Sequence, residues 1–193
     1  MRWKPIASRK GEVTVEVDEL PRTARPDKIP SLRPAFNKDG TVTAANASAI
    51  SDGAAALVLM KASEAQSRGL SPIAKIVSSS SHAHEPDHFT TAPVPAMEKA
   101  LKKAGWSKDD VGLWEINEAF AVVPMIAMKE LGLSHDKVNV NGGACAMGHP
   151  IGASGARILI TLLAAMEDRD VKKGVASLCI GGGEGIAMCV ERA

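Results

Sequence analysis

Residues 154–168 read SGARILITLLAAMED, a stretch that predicts a helix with apolar side chains nearly all round. These apolar residues include Ile158, Leu159, Ile160, Leu162, Leu163 and Met166. A helix of this kind is expected to be buried on every side. A single sheet of roughly five strands can cover only one side, so we expect a second layer system to pack against the other.

The segments around this helix alternate between strand and helix patterns. Strands are predicted at 74–77, 111–116, 138–140, 174–180 and 185–190, and helices at 95–104 and 120–131, each followed by a glycine. From residue 72 onward the order is therefore β-α-β-α-β-α-β-β. This order predicts an α/β fold with a mixed, mostly parallel sheet and helices on both faces.

The part of the chain before residue 72 is organised differently. Residues 1–50 are rich in charge and proline, with one alternating segment at 14–18, and they predict a loop excursion that rests on another part of a fold. Residues 54–60 form a continuous apolar run that predicts a buried strand. Residues 63–68 predict a short helix that ends at Gly69.

The composition limits the classes of function. The chain has 193 residues, enough for one large domain or for one and a half small ones. Its 23 Lys and Arg residues balance 22 Asp and Glu residues, which argues against nucleic acid or a membrane surface as a partner. No apolar run reaches the roughly 20 residues that span a bilayer, and the start does not resemble a signal peptide. Three cysteines without framework spacing indicate reduced thiols and a cytoplasmic location.

Two short patterns are better explained by structure than by chemistry. His84-Glu85-Pro86-Asp87-His88 matches the zinc-peptidase pattern H-E-x-x-H, which requires a helix. Pro86 and a preceding run of serines predict a loop instead, so no metal is expected here. The glycine-rich segment 181–185 lacks the Lys-Ser or Lys-Thr pair of a phosphate-binding loop, and it predicts a tight turn between two strands.

Three other segments carry side chains suited to catalysis. Asn117 lies where a predicted strand meets a helix, and it fits a helix cap and a catalytic amide equally well. His149 follows the glycine-containing loop 142–148, and Pro150 restricts its backbone. Cys179 ends a predicted strand just before the glycine turn. A histidine held in such a loop beside a strand-end cysteine is a candidate for acid–base chemistry.

Taken together, these segments resemble the thiolase family, the acyl-CoA acetyltransferases that make or cleave acetoacetyl-CoA and longer 3-ketoacyl-CoAs. The likeness covers essentially the whole chain. Its matching stretches are Asn117-Glu118-Ala119-Phe120, Asn139-Val140-Asn141-Gly142-Gly143, Gly148-His149-Pro150-Ile151-Gly152-Ala153-Ser154-Gly155 and Cys179-Ile180-Gly181-Gly182-Gly183, with 32–36 and 40–48 upstream. The subtype that it most resembles is the biosynthetic acetyl-CoA acetyltransferases, which condense two acetyl-CoA to acetoacetyl-CoA and catalyse the reverse thiolysis.

The resemblance implies a role for each motif residue. His149 would take the proton of the nucleophilic cysteine and, with Asn117 acting through a bound water, would stabilise the enolate oxygen. Cys179 would be the second acid/base at the acetyl Cα, and the backbone N–H of Gly181 would form half of the acyl oxyanion hole. Claisen chemistry requires such groups, because the enolate must be stabilised where it forms.

The resemblance also implies a binding surface for coenzyme A and its pantetheine arm. The implied contact residues are Arg22, Phe36, Ala44, Ala47, Ser48, Ile50 and Phe120. Coenzyme A thioesters are expected as substrates, with no further cofactor. Cys145 stands where the family usually has an aliphatic residue, and it is interpreted as a small apolar filler. Lys28 stands near the adenosine part, where related enzymes often have serine.

The family's nucleophilic cysteine lies in a Cys-x-Ser-Gly-like turn that has no counterpart in this sequence. The resemblance therefore implies the C-terminal half of a thiolase: residues 1–50 as the tail of the loop domain, 51–71 as the last strand and helix of the N-terminal half, and 72–193 as the C-terminal domain. We expect the chain alone to be inactive, to require the N-terminal half as a partner and to form a homo-oligomer. The alternative is a non-catalytic assembly or binding fragment. A ketoacyl synthase is disfavoured, because those enzymes have a second histidine in place of Asn117.

Overall fold

The computed structural model of the chain describes residues 5–193. Its first elements are a small hairpin of β1 (Ile6–Ser8) and β2 (Gly11–Val13), the helix α1 (Glu19–Thr23) and a 3₁₀ turn (Pro26–Ser31). The strand predicted at 14–18 is not formed. Pairing in the hairpin ends at Val13, and Asp18 instead caps α1 by accepting a hydrogen bond from the Leu20 N–H at 3.3 Å.

Strands and helices alternate in the rest of the chain. They are α2 (Ala62–Ser67), β3 (Ala74–Ala83), α3 (Pro93–Ala104), β4 (Leu113–Ile116), α4 (Val122–Leu131), α5 (Ala144–Met147), α6 (Ser154–Asp168), β5 (Lys173–Ile180) and β6 (Glu184–Arg192), with 3₁₀ turns at Pro86–Thr91, Lys108–Asp110 and His135–Lys137. The sheet order is β3-β6-β5-β4. Because β6 is antiparallel to both neighbours and β4 is parallel to β5, three strands run in one direction and β6 alone opposes them. The predicted mixed, mostly parallel α/β sheet is confirmed.

Helices cover both faces of this sheet, as predicted. α3 and α4 pack on one face, where Trp114 of β4 lies with Met97 and Val123. α6 packs on the other face, where the adjacent residue Leu113 contacts the cluster that contains Ile158. Neighbouring residues of β4 thus enter opposite cores, and each large buried side chain contributes about 1.5–3 kcal/mol. Burial on both faces fixes the register that aligns the carboxyl ends of β4 and β5.

α6 is not buried on every side, so that prediction is wrong. Its sheet-facing residues, such as Leu162 and Met166, are fully buried, but Ile160 is 39% exposed and Ala164 is exposed. No layer of residues 5–193 covers this second side, although the sequence of α6 is apolar there. α6 has 15 residues. None of the helices that the structure describes is both long and apolar enough to cross a bilayer.

The apolar run at 54–60, called the exposed tract below, does not form the predicted buried strand. Its backbone pairs with no strand in the described part of the chain, and Val58 and Leu59 are 86% and 69% exposed. Leu57 alone packs against the α6 cluster. A buried strand needs a neighbour on at least one edge, and the four-stranded sheet offers none here. The predicted short helix after the tract is present as α2; the domain boundaries near residues 50 and 71 stay predictions.

The strand predicted at 138–140 is reduced to isolated parallel bridges, one between Val138 and Trp114 and one between Val140 and Gly142. The reason lies in Asn139, whose φ of 49° leaves the extended region. Its side chain takes over the pairing, because Oδ1 accepts from the Ile116 N–H at 2.8 Å and Nδ2 donates to the Ile116 carbonyl at 2.9 Å. One side-chain amide therefore closes the outer edge of β4.

Candidate active site

Asn117 and Cys179 lie at the same edge of the sheet. β4 and β5 are parallel and pair Ile116 with Ser177, so their carboxyl ends are adjacent. Asn117 directly follows β4, and its N–H donates to the Ser177 carbonyl at 2.9 Å. Cys179 lies two residues farther along β5, opposite Gly185 of β6. Ligands bind at such carboxyl edges of open α/β sheets.

His149 reaches this edge from the loop between α5 and α6. Its N–H donates to the Ala49 carbonyl at 2.8 Å, and it forms a parallel bridge with Ile50. In this position His149 Nε2 lies 3.2 Å from Asn117 Nδ2. The predicted histidine and amide are therefore in direct contact, although 32 residues separate them in the sequence.

The other ring nitrogen of His149 contacts Ser154, the first residue of α6. His149 Nδ1 lies 2.6 Å from Ser154 Oγ, which donates to the Pro150 carbonyl at 3.0 Å. Ser154 is fully buried. Burial, with a smaller effect from the positive charge of Arg157, lowers the pKa of His149. The imidazole is thus neutral at neutral pH and can accept a proton.

The thiol of Cys179 lies in an apolar environment and is only 5% exposed. Burial raises its pKa to about 11, so the sulfur carries its proton at neutral pH. Gly181 follows in the turn between β5 and β6, and no atom lies within 4 Å of the position that a Cβ would take. Gly183 closes the turn with a φ of 100° and accepts a hydrogen bond from the His84 N–H at 3.1 Å. The glycine segment is the tight turn that the sequence predicts.

Glu118 holds the loop that carries His149. One carboxylate oxygen accepts from Asn139 Nδ2 at 3.2 Å, and the other accepts from the Cys145 N–H at 3.0 Å. Gly143 makes this possible, because a Cβ there would lie 2.2 Å from the Glu118 carboxyl carbon. Cys145 is half-buried on α5, where burial followed by the charge of Glu118 raises its pKa to about 12.

A buried ion pair lies next to Asn117. Glu115 of β4 is 2% exposed, and one of its carboxylate oxygens lies 3.9 Å from Arg157 Nη1 on α6. Arg157 Nη2 also donates to Asn117 Oδ1 at 3.4 Å. Burial raises the pKa of Glu115 to about 7, against the opposing effect of Arg157. Neither residue is predicted as part of the site, yet the sequence carries a signal for both: one acid and one base, each inside an otherwise apolar pattern, indicate a buried pair.

Most of the residues expected to contact coenzyme A gather beside the Asn117 segment. Ser48 donates to the Ala119 carbonyl through its N–H at 3.1 Å and its hydroxyl at 2.9 Å. Ala47 bridges to Phe120, and the ring of Phe36 meets that of Phe120 edge-on at 6.1 Å. Of the remaining predicted contacts, Ala44 lies in the turn before Ala47, Ile50 lies beside His149, and Arg22 is on α1, which packs against α5.

The H-E-x-x-H segment does not form a helix. Pro86 begins a 3₁₀ turn, and His84 Nε2 lies 2.7 Å from the His88 carbonyl oxygen. The two histidines therefore do not present one helix face to a metal. Within residues 5–193, no group of three or more His, Cys, Asp or Glu side chains could hold a metal ion.

Comparison with known proteins gives relatives along the whole length of the chain. It is 56% identical over 188 residues to the acetyl-CoA acetyltransferase of Rhizobium meliloti and 55% identical over 190 residues to the cytosolic acetyl-CoA acetyltransferase of Rattus norvegicus. Each match covers 97% of this chain and 48% of the relative. The chain thus spans about half the length of the curated relatives that it matches.

Solved structures and family models agree with these relatives. The Bacillus anthracis acetyl-CoA acetyltransferase superposes with a TM-score of 0.91 at 46% identity, over 98% of this chain and 48% of that one. Human mitochondrial 3-ketoacyl-CoA thiolase gives a TM-score of 0.86 at 39% identity, over 98% of this chain and 49% of that one. The thiolase C-terminal domain matches residues 70–192, and the thiolase N-terminal domain matches residues 5–63. The chain belongs to the thiolase family.

Proposed function

We propose that this chain supplies the deprotonating half of an acyl-CoA C-acetyltransferase site. The reaction is the Claisen condensation of two acetyl-CoA to acetoacetyl-CoA, together with the reverse thiolysis. The observation that supports this most directly is the 3.2 Å contact between Asn117 Nδ2 and His149 Nε2 at the sheet edge that also carries Cys179. An amide, a neutral imidazole and a thiol at one edge are the groups that enolate chemistry requires.

The protonation states fit these roles. A His149 ring that is neutral at neutral pH can take the proton of a nucleophilic thiol supplied by the other half of the enzyme. Cys179 keeps its proton at neutral pH, so it can protonate the Cα of the acetyl group that leaves in thiolysis. In the synthetic direction the Cys179 thiol first gives its proton to the coenzyme A thiolate released in acyl transfer, and the resulting Cys179 thiolate then takes the proton from Cα. The Gly181 N–H, in an open turn, is proposed as one oxyanion donor.

We propose that coenzyme A binds along the border formed by Ala44–Ile50 and Phe120. Two related solved structures, those of human mitochondrial 3-ketoacyl-CoA thiolase and Ascaris suum Acat5 thiolase, are complexes with coenzyme A. On this chain, Phe36 is 78% exposed and Ile50 is 86% exposed, so both offer apolar surface to a pantetheine arm. Arg22 on α1 would pair with a phosphate of the nucleotide.

A second candidate function is a non-catalytic assembly or binding module. The exposed tract and the open side of α6 favour it, because both present apolar residues that a partner would cover. In the catalytic proposal the same surfaces contact the N-terminal thiolase half or further copies of the chain. The two functions differ in whether His149 matters, since assembly does not require an imidazole.

A complementation assay separates the two functions. The purified chain is tested for thiolysis of acetoacetyl-CoA alone and after addition of an N-terminal half from the Rhizobium meliloti relative. We expect no turnover by the chain alone, turnover with the added half, and loss of that turnover in His149→Ala. His135→Ala, in an exposed turn, is the matched control and should keep it. Turnover by the chain alone contradicts the need for a partner.

The proposed function is wrong if the His149→Ala variant, mixed with the added N-terminal half, gives as much turnover as the parent chain does. If the two halves form a complex by light scattering but produce no turnover, the assembly module is the better description. A stable monomer that never associates, in contrast, contradicts both uses of the exposed tract.

A further inference from the structure

We propose that Arg157, held by Glu115, is a positioning residue that fixes which nitrogen of His149 carries the proton, acting through the side-chain amide of Asn117. This inference deepens the proposed function, in which His149 accepts a proton. It concerns a hydrogen-bond chain of four side chains at the sheet edge, which runs from a guanidinium that can only donate to a backbone carbonyl that can only accept.

The first link decides the orientation of Asn117. A guanidinium group can only donate hydrogen bonds, so the atom that faces Arg157 Nη2 at 3.4 Å must be the amide oxygen. The amide nitrogen of Asn117 then faces His149 Nε2 at 3.2 Å. With the amide reversed, Asn117 Nδ2 would face the Arg157 guanidinium, donor against donor, at a side chain that is only 1% exposed. Arg157 therefore excludes the flipped orientation.

The second link decides the tautomer of His149. Because Asn117 Nδ2 donates, His149 Nε2 must accept, and it carries no hydrogen in the neutral ring. The ring proton is then on Nδ1, from which it is donated to Ser154 Oγ at 2.6 Å. Ser154 passes its own hydroxyl hydrogen to the Pro150 carbonyl at 3.0 Å, which can only accept. The chain from Arg157 to Pro150 is thus directed without a conflict at any atom.

The consequence for catalysis concerns the lone pair on Nε2. With the amide as observed, Nε2 carries no hydrogen, so once the 3.2 Å hydrogen bond from Asn117 Nδ2 is released, its lone pair takes the proton of a nucleophilic thiol. With the amide reversed, the oxygen of Asn117 would face Nε2 and favour a hydrogen there, which would occupy the atom that must act as base. A donor fixed behind Asn117 therefore keeps the histidine in its reactive form.

Glu115 explains why Arg157 stays in place. Its carboxylate lies 3.9 Å from Arg157 Nη1, and it projects from β4, the same strand that ends at Asn117. Removing one member of a buried pair leaves the other charge without a partner and destabilises the fold. The informative variant therefore neutralises both residues at once, as Glu115→Gln with Arg157→Met.

Nitrogen NMR of the ¹⁵N-histidine-labelled chain measures the tautomer directly, because protonated and unprotonated ring nitrogens have well-separated chemical shifts. At a pH above the titration of His149, we expect the parent to show Nδ1 protonated and Nε2 unprotonated. In the double variant the single-tautomer pattern should be lost, with both nitrogens moving to averaged shifts. The four other histidines, at 82, 84, 88 and 135, are internal references. Arg169→Met, at an exposed position after α6, is the matched control and should match the parent.

A second variant keeps the test decisive if the double variant does not fold. Asn117→Asp replaces the donor by an acceptor, so we expect the proton to move to His149 Nε2. The proposal is overturned if the parent already carries its proton on Nε2, or if a folded double variant retains the pure Nδ1–H tautomer. It is equally overturned if Asn117→Asp leaves the tautomer unchanged.

The NMR result is independent of the proposed enzyme activity. If the complementation assay works, the double variant should lower kcat by roughly 10- to 100-fold with little change in KM, the range for a hydrogen bond from a charged donor. A tautomer shift without any turnover in the parent complex would contradict the proposed function and support the positioning role. Turnover in the parent complex with no tautomer shift in the double variant would support the proposed function and contradict the positioning role.

Discussion

Replacing Gly143 by alanine should release the loop that carries His149. The new Cβ would lie 2.2 Å from the Glu118 carboxyl carbon and 2.4 Å and 2.5 Å from its oxygens, so the carboxylate must move away. The φ of Gly143 is −152°, which any residue adopts, so the effect is steric and not conformational. Moving Glu118 breaks its hydrogen bonds from Asn139 and from the Cys145 N–H. At about 1–3 kcal/mol for each of the two donors that lose Glu118, the free energy of unfolding should fall by roughly 2–6 kcal/mol.

A urea titration followed by tryptophan fluorescence measures this change, and the m-value should stay constant. Gly155→Ala is the matched control, because nothing lies within 4 Å of its Cβ position on α6. Its stability should be unchanged or higher by up to about 1 kcal/mol. Glu118→Ala removes the obstructing carboxylate, so adding Gly143→Ala to it should change stability by less than about 0.5 kcal/mol. A Gly143→Ala single variant within about 0.5 kcal/mol of the parent would refute the reasoning.

Three further predictions concern other parts of the site. Glu115→Gln should remove a pH dependence of stability. The pKa of Glu115 is raised from 4.5 to about 7 in the folded chain, so the parent should lose stability as the pH rises through that range. Urea titrations at several pH values should show no such loss in the variant. Cys179 should react with iodoacetamide far more slowly in the folded chain at neutral pH than in urea, because burial raises its pKa to about 11; equal rates by mass spectrometry would contradict this. Asn139→Gly should lower the free energy of unfolding by roughly 2–4 kcal/mol, because its hydrogen bonds to the edge of β4 are lost. Asn139→Ala should lower it by about 1 kcal/mol more, because alanine disfavours the positive φ at this position. A glycine variant as stable as the parent in urea would contradict the role of Asn139 at this edge.

The sequence predicted the elements whose own pattern decides their structure. α6 begins and ends where the pattern places it, at 154 and 168, because an apolar run of this length without proline, and with its one glycine in the first turn, favours a helix. Such patterns do not predict the strand order or the exposure of the second side of α6, because both depend on which elements pack against each other. The prediction of a buried strand in the exposed tract is wrong for the same reason, because residues 54–60 have the composition of a buried strand but no neighbouring strand to pair with.

The candidate site was predicted from its reacting groups and not from the residues that orient them. Asn117 and His149 carry side chains with obvious chemistry, and the structure brings them into contact. Arg157 interrupts an apolar helix pattern, which indicates burial but does not identify its partner, and Ser154 looks like an ordinary first residue of a helix. Their contacts depend on the angle at which α6 crosses β4, which residue spacing along one chain does not encode.

The amide of Asn139 has a consequence for self-association. An outer sheet strand normally offers a row of free N–H and C=O groups on which another molecule can add a strand, and this is a common route to aggregation. At β4 the Asn139 amide occupies both groups of Ile116. A side chain has no following residue with which to extend the ladder, so hydrogen bonding stops after one rung. At Ile116 this outer edge of β4 is therefore protected from the addition of another strand by one side-chain amide.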